Sequence, residues 1–382
     1  MQAQHTCWRQ ALAVGAAALL GLSACGDDGD DGGDETDGGP AEDGGQDSTA
    51  QVTTPSGMII GTERDSVAYF LGIPYAEPPV GDLRWRSPQP LAPWTEPLPA
   101  QTLGPRCPQS DLFSGAPITD ADEDCLSLNV WTPDLSPVEP LPVMMWIHGG
   151  GFETGSGYED GFYDGENLAV AGNVVVVTFN YRLGALGFLA HPALTAEDPD
   201  RASSGNYGLE DQILALEWVR DHIASFGGDP DNVTLFGESA GGMSVCAHLV
   251  APASQGLFHR AIIESGPCER ASRSLDRAED IGVGVAEGLG CSDPATVRDC
   301  LRSTPAGELV GVLGDGGLAE AGWSPVADGA VVPDSVTALL AAGEVADVPV
   351  VIGSNRDEGT LFILLGGLTG IDEATYESIR DA

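Results

Sequence analysis

The stretch NVTLFGESAGGMSVCAHLV, residues 232–250, decides the fold. Its first five residues form a short apolar run of strand length, and the residues from Ala240 onward suit a helix. Between them stands Gly237-Glu238-Ser239-Ala240-Gly241. Glycines at the flanking positions remove the side chains that would collide in a tight strand-to-helix turn, which leaves the Ser239 hydroxyl exposed at its apex. The same turn sets Ser239 at a helix N-terminus, where free N–H groups and the helix dipole favour developing negative charge. A capping serine at a glycine-rich helix start is the plain alternative, and the strand before it and helix after it weigh against that. A serine hydroxyl attacks only when a base takes its proton, so Ser239 needs partners from elsewhere in the chain.

The flanking sequence supports a layered architecture. LPVMMWI (141–147) and NVVVVTF (173–179) are continuous apolar runs of strand length, and RAIIESG (260–266) and VPVVIGS (348–354) are two more. GLEDQILALEWVRDHIASF (208–226) has helical periodicity, with Ile213, Leu216, Val219 and Ile223 on one face. Strands rich in Val and Ile that alternate with helices predict an α/β fold: a mostly parallel central sheet with helices on both faces. Before it, TTPSGMIIGTERDSVAYFLGIPYA (53–76) suggests an N-terminal hairpin, and PPVGDLRWRSPQPLAPW (78–94) is too proline-dense for regular structure. Residues 270–345 are looser and helical, as in a cap or lid insertion.

Two further strand ends carry chemistry. WIHGGGF (146–152) closes its strand with three glycines, whose bare N–H groups can converge on one point as an oxyanion hole requires. A simple turn is the alternative for a lone triplet; pairing with the Ser239 turn makes it persuasive. GSNRDEGT (353–360) supplies Glu358, a candidate acid placed after the nucleophile in chain order.

Bulk properties narrow the function classes. The 382 residues have a formal net charge of -42, which argues against nucleic-acid binding, since that needs a basic face. Part of the charge is local: residues 26–50 hold ten acids and no Lys or Arg, a solvated, self-repelling spacer, with calcium binding the sharper alternative. Ahead of it, WRQALAVGAAALLGLSAC (8–25) has one Arg and then an apolar run too short to span a membrane comfortably. It ends in Leu22-Ser23-Ala24-Cys25, which resembles the bacterial lipobox, whose Cys is lipidated after cleavage. An ordinary secretory signal is the alternative. The chain thus reads as a lipoprotein signal over 1–25, an acidic linker over 26–50 and a hydrolase domain over 51–382, exported and anchored to the cell envelope, on the outer membrane or cell surface, through lipid on Cys25.

Eight cysteines suit an exported protein. Cys107 and Cys125 flank a polar loop, Cys291 and Cys300 a shorter one, and each pair can close a local disulfide. Cys246 and Cys268 sit in apolar surroundings and read as free, buried thiols.

Taken together, FLGIPYAEPPVGDLRW, EDCLSLNVW, WIHGGGF, NYRLGALGFL, GNYGLEDQ, FGGDPDNVTLFGESAGG, AIIESG and GSNRDEGT run in one order from about residue 52 to residue 365. In that set the chain resembles the type B carboxylesterase family, the cholinesterase-like branch of the α/β-hydrolases. The resemblance implies Ser239 as nucleophile, Glu358 as triad acid, and Gly150, Gly151 and Ala240 as oxyanion-hole donors. It implies disulfides Cys107–Cys125 and Cys291–Cys300, and it makes Glu238 similar to the family's buried acid near the site. A small-molecule ester is the implied substrate, and no metal or cofactor is implied. A non-catalytic adhesion protein on the same fold is the competing reading. Such proteins typically lose the nucleophile, whereas Ser239 and its glycines are intact here.

Two departures stand out. In cholinesterases the loop closed by the first disulfide carries a tryptophan that binds the choline cation; here that loop, PQSDLFSGAPITDADED (108–124), has no Trp and one aromatic, Phe113. The second is the missing base. His5 lies in the signal, and His148 belongs to the glycine turn and precedes the nucleophile. His191 and His259 have no acidic neighbour in sequence, and His222 reads as surface-facing beside Asp221. His248 follows Ser239 by nine residues on one helix, which turns it about half a circle away and raises it about 13 Å. Only 24 residues follow Glu358 and none is His, so the chain is expected to be the N-terminal part of a longer protein.

Overall fold

Alternation of β-branched runs with helices produces the expected sheet. The computed structural model describes residues 47–360, apart from 112–115, 160–161, 198, 200 and 313–321. The signal, Cys25, most of the acidic linker, His5 and Phe113 therefore lie outside the described residues. Residues 45–353 form one compact unit.

The strands of the main sheet are β1 (Ser48–Thr54), β2 (Gly57–Arg64), β3 (Val67–Pro74), β4 (Leu98–Pro99), β5 (Ser127–Thr132), β6 (Leu141–Ile147), β7 (Val175–Phe179), β8 (Gly228–Glu238) and β9 (Arg260–Glu264). A two-stranded sheet, β10 (Arg273–Ser274) with β11 (Val326–Ala327), stands apart, and β12 (Val350–Gly353) also belongs to the main one. The order across it is β1-β2-β3-β5-β7-β6-β8-β9-β12, with β4 beside β2. From β1 to β7 the neighbours on this path are antiparallel; from β7 through β6, β8 and β9 to β12 they are parallel. The α/β expectation holds for the second half, and the N-terminal hairpin is the start of an antiparallel meander. Ser48, Thr49 and Ala50, read as the end of the linker, belong to β1, where they pair with Glu63, Thr62 and Gly61. Ala50 packs into the core at 3% exposure, so pairing and burial outweigh the polar texture that precedes it.

The helices are α1 (Glu166–Gly172), α2 (Gly184–Phe188), α3 (Pro192–Thr195), α4 (Tyr207–His222), α5 (Ala240–Val250), α6 (Leu275–Gly288), α7 (Val297–Ser303), α8 (Ala306–Leu309) and α9 (Val336–Ala342). The face of α4 read from sequence, Ile213, Leu216 and Val219, is buried, and Ile223 follows it into the core in a 3-10 turn. Val143, Met145 and Ile147 of β6 and Val233 and Leu235 of β8 are fully enclosed, which fixes the two strands that carry the site. No helix among the described residues is long and apolar enough to cross a membrane.

Cys107–Cys125 and Cys291–Cys300 are disulfides. Cys246 and Cys268 are a third, so the reading of two free thiols is corrected. Cys246 lies on α5, directly after β8, and Cys268 lies four residues after β9. Because β8 and β9 are parallel neighbours, both segments leave the same end of the sheet, and their Cα atoms come within 5.5 Å.

Candidate active site

Strand register brings the two glycine-rich turns together. Ile147 of β6 pairs with Gly237 of β8, so both strands end side by side, at the place where β6 lies between β7 and β8. Crevices beyond the carboxyl ends of parallel strands, at such a reversal of strand order, are the usual ligand sites of open α/β sheets.

Ser239 joins β8 to α5 with φ 55° and ψ -119°. This is a conformation that L-residues rarely adopt, at an expected cost of about 1–3 kcal/mol, and it persists only where the surroundings enforce it. Here they do. The Ser239 N–H donates to the Glu264 carbonyl at 2.9 Å, and its carbonyl accepts from Met243 at 2.9 Å. The glycine requirement is steric. A Cβ on Gly241 would stand 2.0 Å from the Ile147 carbonyl oxygen, and one on Gly237 would stand 2.6 Å from Gly241. Gly266, after β9, would meet Gly242 at 2.6 Å, so α5 and the β9 turn touch through backbone alone.

The second turn lies against the first. A Cβ on Gly149 would be 3.3 Å from the Ser239 Cβ and 2.8 Å from the Glu238 carbonyl oxygen. Gly150 and Gly151 have φ of 102° and 65°, which aims their N–H groups in directions other residues reach only under strain. The Gly150 carbonyl accepts from Glu153 at 3.1 Å and Thr154 at 3.0 Å. Among the described residues no loop hydrogen bond takes the N–H of Gly150 or of Gly151. Ala240 opens α5, where N–H groups have no intrahelical acceptor. The structure thus brings Ser239, Gly150, Gly151, Ala240 and Glu238 to one place.

Neighbours that the sequence did not announce brace the turn. Tyr181 stacks on His148 with centroids 4.3 Å apart and donates its hydroxyl to the His148 carbonyl at 2.9 Å. His148 donates from Nδ1 to Gly149 at 2.9 Å, and burial holds its pKa down to about 4, so it is neutral. Tyr163 is pushed up to about 12, first by burial and then by the negative charge of Glu238. Burial also raises the carboxyl of Glu264. His148, Tyr181 and Glu264 lie within recognisable stretches of the sequence, but only the juxtaposition of β6, β7, β8 and β9 brings them, with Tyr163, around the turn.

The other histidines are engaged elsewhere. His248 is fully buried: Nε2 donates to Gln212 Oε1 at 2.9 Å and Nδ1 accepts from Ser254 Oγ at 2.8 Å. Desolvation holds its pKa down to about 3. His222 is half-buried, not simply surface-facing: it stacks on Trp218, donates from Nδ1 to the Trp218 carbonyl at 3.0 Å and accepts from Ser56 Oγ at 2.9 Å. His191 caps α3, and His259 accepts from the Val233 N–H. Among the described residues, no histidine hydrogen-bonds to the Ser239 hydroxyl. Glu358 lies in the segment 354–360, where its carboxylate accepts from the Asn355 N–H at 2.5 Å.

Comparison with known proteins agrees with this geometry. The family model described as "Carboxylesterase family" matches residues 48–378. The para-nitrobenzyl esterase of Bacillus subtilis (strain 168) is 43% identical over 322 residues, 81% of this chain and 63% of that protein. The acetylcholinesterase of Electrophorus electricus is 41% identical over 342 residues, 84% of this chain and 53% of that one. Among solved structures, a PNB esterase superposes with a TM-score of 0.73 at 42% identity, covering 82% of this chain and 64% of its own. A carboxylesterase of Geobacillus stearothermophilus superposes with a TM-score of 0.74 at 37% identity, covering 85% and 65%. The chain therefore spans less than two thirds of the length of these relatives. With a match over nearly all of the described residues and a serine turn braced by a glycine turn on adjacent strand ends, the chain belongs to the carboxylesterase family, on the α/β-hydrolase fold.

Proposed function

We propose that the protein hydrolyses carboxylic esters through a serine acyl-enzyme. The observation that carries this is the backbone of Ser239, held at φ 55° against the Gly149–Gly151 turn. In this reading Ser239 Oγ attacks the ester carbonyl, and the N–H groups of Gly150, Gly151 and Ala240 hold the oxyanion. Because the Ser239 N–H is already bonded to Glu264, the donor on the helix side falls to Ala240. A base takes the Oγ proton and returns it to the leaving alcohol, and water then releases the acid. We assign no base among the histidines at 148, 191, 222, 248 and 259, whose partners lie elsewhere; the role proposed for Glu358 is to orient a histidine supplied by another part of the whole protein. Glu238 sets the local negative charge beside the nucleophile. A fluorophosphonate probe tests this reading: it should label the whole protein, with its histidine in place, at Ser239 and spare Ser239→Ala. Equal labelling of both would remove the assignment.

We also propose that residues 1–24 are removed and that Cys25 carries lipid, tethering the domain to the cell envelope through the acidic linker. What supports it is Leu22-Ser23-Ala24-Cys25 followed at once by that linker. Metabolic labelling with a fatty-acid analogue should mark the protein, and Cys25→Ser should leave the membrane fraction. A Cys25→Ser variant that stays with membranes would contradict it.

A further inference from the structure

A cavity of about 410 Å³ opens beside the oxyanion turn. Leu183, Leu186, Leu309 and Trp323 give it apolar walls. Its ionisable lining among the described residues is two carboxylates, Glu153 and Asp111, with no Lys, Arg or His. Glu153 is the last residue of the turn that begins at Gly150, closed by the 3.1 Å hydrogen bond between them, and the ends of such a turn lie within about 7 Å. The carboxylate is thus one turn away from the proposed oxyanion donors. It accepts from the Trp323 N–H, and its Oε1 comes to 4.0 Å from the position a Cβ would take on Gly322. Burial pushes the Glu153 carboxyl up, because one N–H partner does not replace the water it has lost.

We propose that this cavity is a substrate subsite for esters carrying a primary ammonium group, with Glu153 as its counter-charge. The inference rests on the ester-hydrolase reading and adds the substrate class. A primary ammonium offers Glu153 an opposite charge and N–H donors in place of the water that burial excludes, and its carbon chain covers the leucines and Trp323. The chain's net charge of -42 favours the approach of cations over anions in general. A quaternary ammonium has no N–H to give a carboxylate and depends on an aromatic face, so the geometry ranks it below the primary amine.

The test is calorimetric titration of the full chain with n-butylammonium, n-butyltrimethylammonium and 1-butanol. Butylammonium should bind about tenfold to a hundredfold more tightly than butanol, the scale of one charge-assisted hydrogen bond, and more tightly than the trimethyl compound. Glu153→Gln, which keeps the shape, should abolish that advantage while leaving butanol binding unchanged. Asp111→Asn should lose less. Equal binding of butylammonium and butanol overturns the proposal, as does an undiminished advantage in Glu153→Gln, a preference for the trimethyl compound, or a larger loss in Asp111→Asn. Fluorophosphonate labelling of Ser239 in the whole protein, histidine included, separates the two readings: labelling without an amine preference removes the subsite alone, and absence of labelling removes the hydrolase reading.

Discussion

The backbone N–H of Ser239 donates to the carbonyl of Glu264 at 2.9 Å. This bond ties the turn after β8 to the end of β9, where Glu238 and Glu264 face each other in register. The disulfide Cys246–Cys268 and the contact of Gly242 with Gly266 fasten the same two segments farther on. Three devices of different chemistry thus hold a strained serine in place.

Loss of one proposed oxyanion donor should be visible without loss of the proposed nucleophile. A Cβ on Gly150 would stand 2.2 Å from the Thr154 carbonyl oxygen, so Gly150→Val must displace the turn. The labelling rate of Ser239 by fluorophosphonate should fall on the order of 10²–10³-fold. An unchanged rate would take the glycine turn out of the mechanism.

The glycines of the two turns should differ in their tolerance of alanine. Gly241→Ala places its Cβ 2.0 Å from the Ile147 carbonyl oxygen, against the backbone at the end of β6, whereas Gly151→Ala meets open space and suffers only from its φ of 65°. Urea denaturation should show Gly241→Ala destabilised by about 3 kcal/mol through overpacking against backbone, and Gly151→Ala by about 1 kcal/mol from its left-handed backbone. The reverse order would contradict the packing described.

Acid should weaken the fold through its buried histidines. Burial holds His248 down to about 3 and His148 down to about 4, whereas both titrate near 6.5 once unfolded. Between those values the unfolded chain takes up protons that the folded chain does not, so stability falls as pH drops through this window and no longer changes on their account above about pH 7. From pH 7.5 to pH 5, each histidine removes about 2 kcal/mol. His248→Asn should be less stable than the parent at pH 7.5 and should lose about 2 kcal/mol less than the parent on going to pH 5. A pH-independent difference between the two would show that His248 titrates normally.

The last strand of the sheet should make the chain self-associate. Val351 and Ile352 of β12 are each 64% exposed. Adjacent strand residues point to opposite faces, so both side chains are exposed on their own faces, and among the described residues β12 pairs with β9 alone. Val351→Lys with Ile352→Lys should reduce aggregation, because charge on an edge strand blocks further pairing. Light scattering during concentration measures this, and equal scattering by parent and variant would place the sticky surface elsewhere.

Much of the site was legible because its requirements are local. A tight strand-to-helix turn excludes side chains at Gly237 and Gly241 whatever surrounds it, and the glycines of 149–151 follow a strand directly. Helical geometry alone turned His248 away from Ser239. For Cys107–Cys125 and Cys291–Cys300 the short loops allowed local pairing, the family resemblance implied it, and the structure has both bridges. Tertiary structure decided the rest, and the reason is strand order. Only when β6, β8 and β9 lie in parallel as neighbours do residues distant in sequence meet at one end of the sheet. That adjacency brings Cys246 to Cys268, although an apolar setting had read as two free thiols, and it hands the Ser239 N–H to Glu264. The pairing of β6 with β7 likewise lays Tyr181 on His148. The choice of Glu153 as the charged wall of a cavity depends on Trp323 folding back over the turn, a contact across 170 residues that no local pattern encodes.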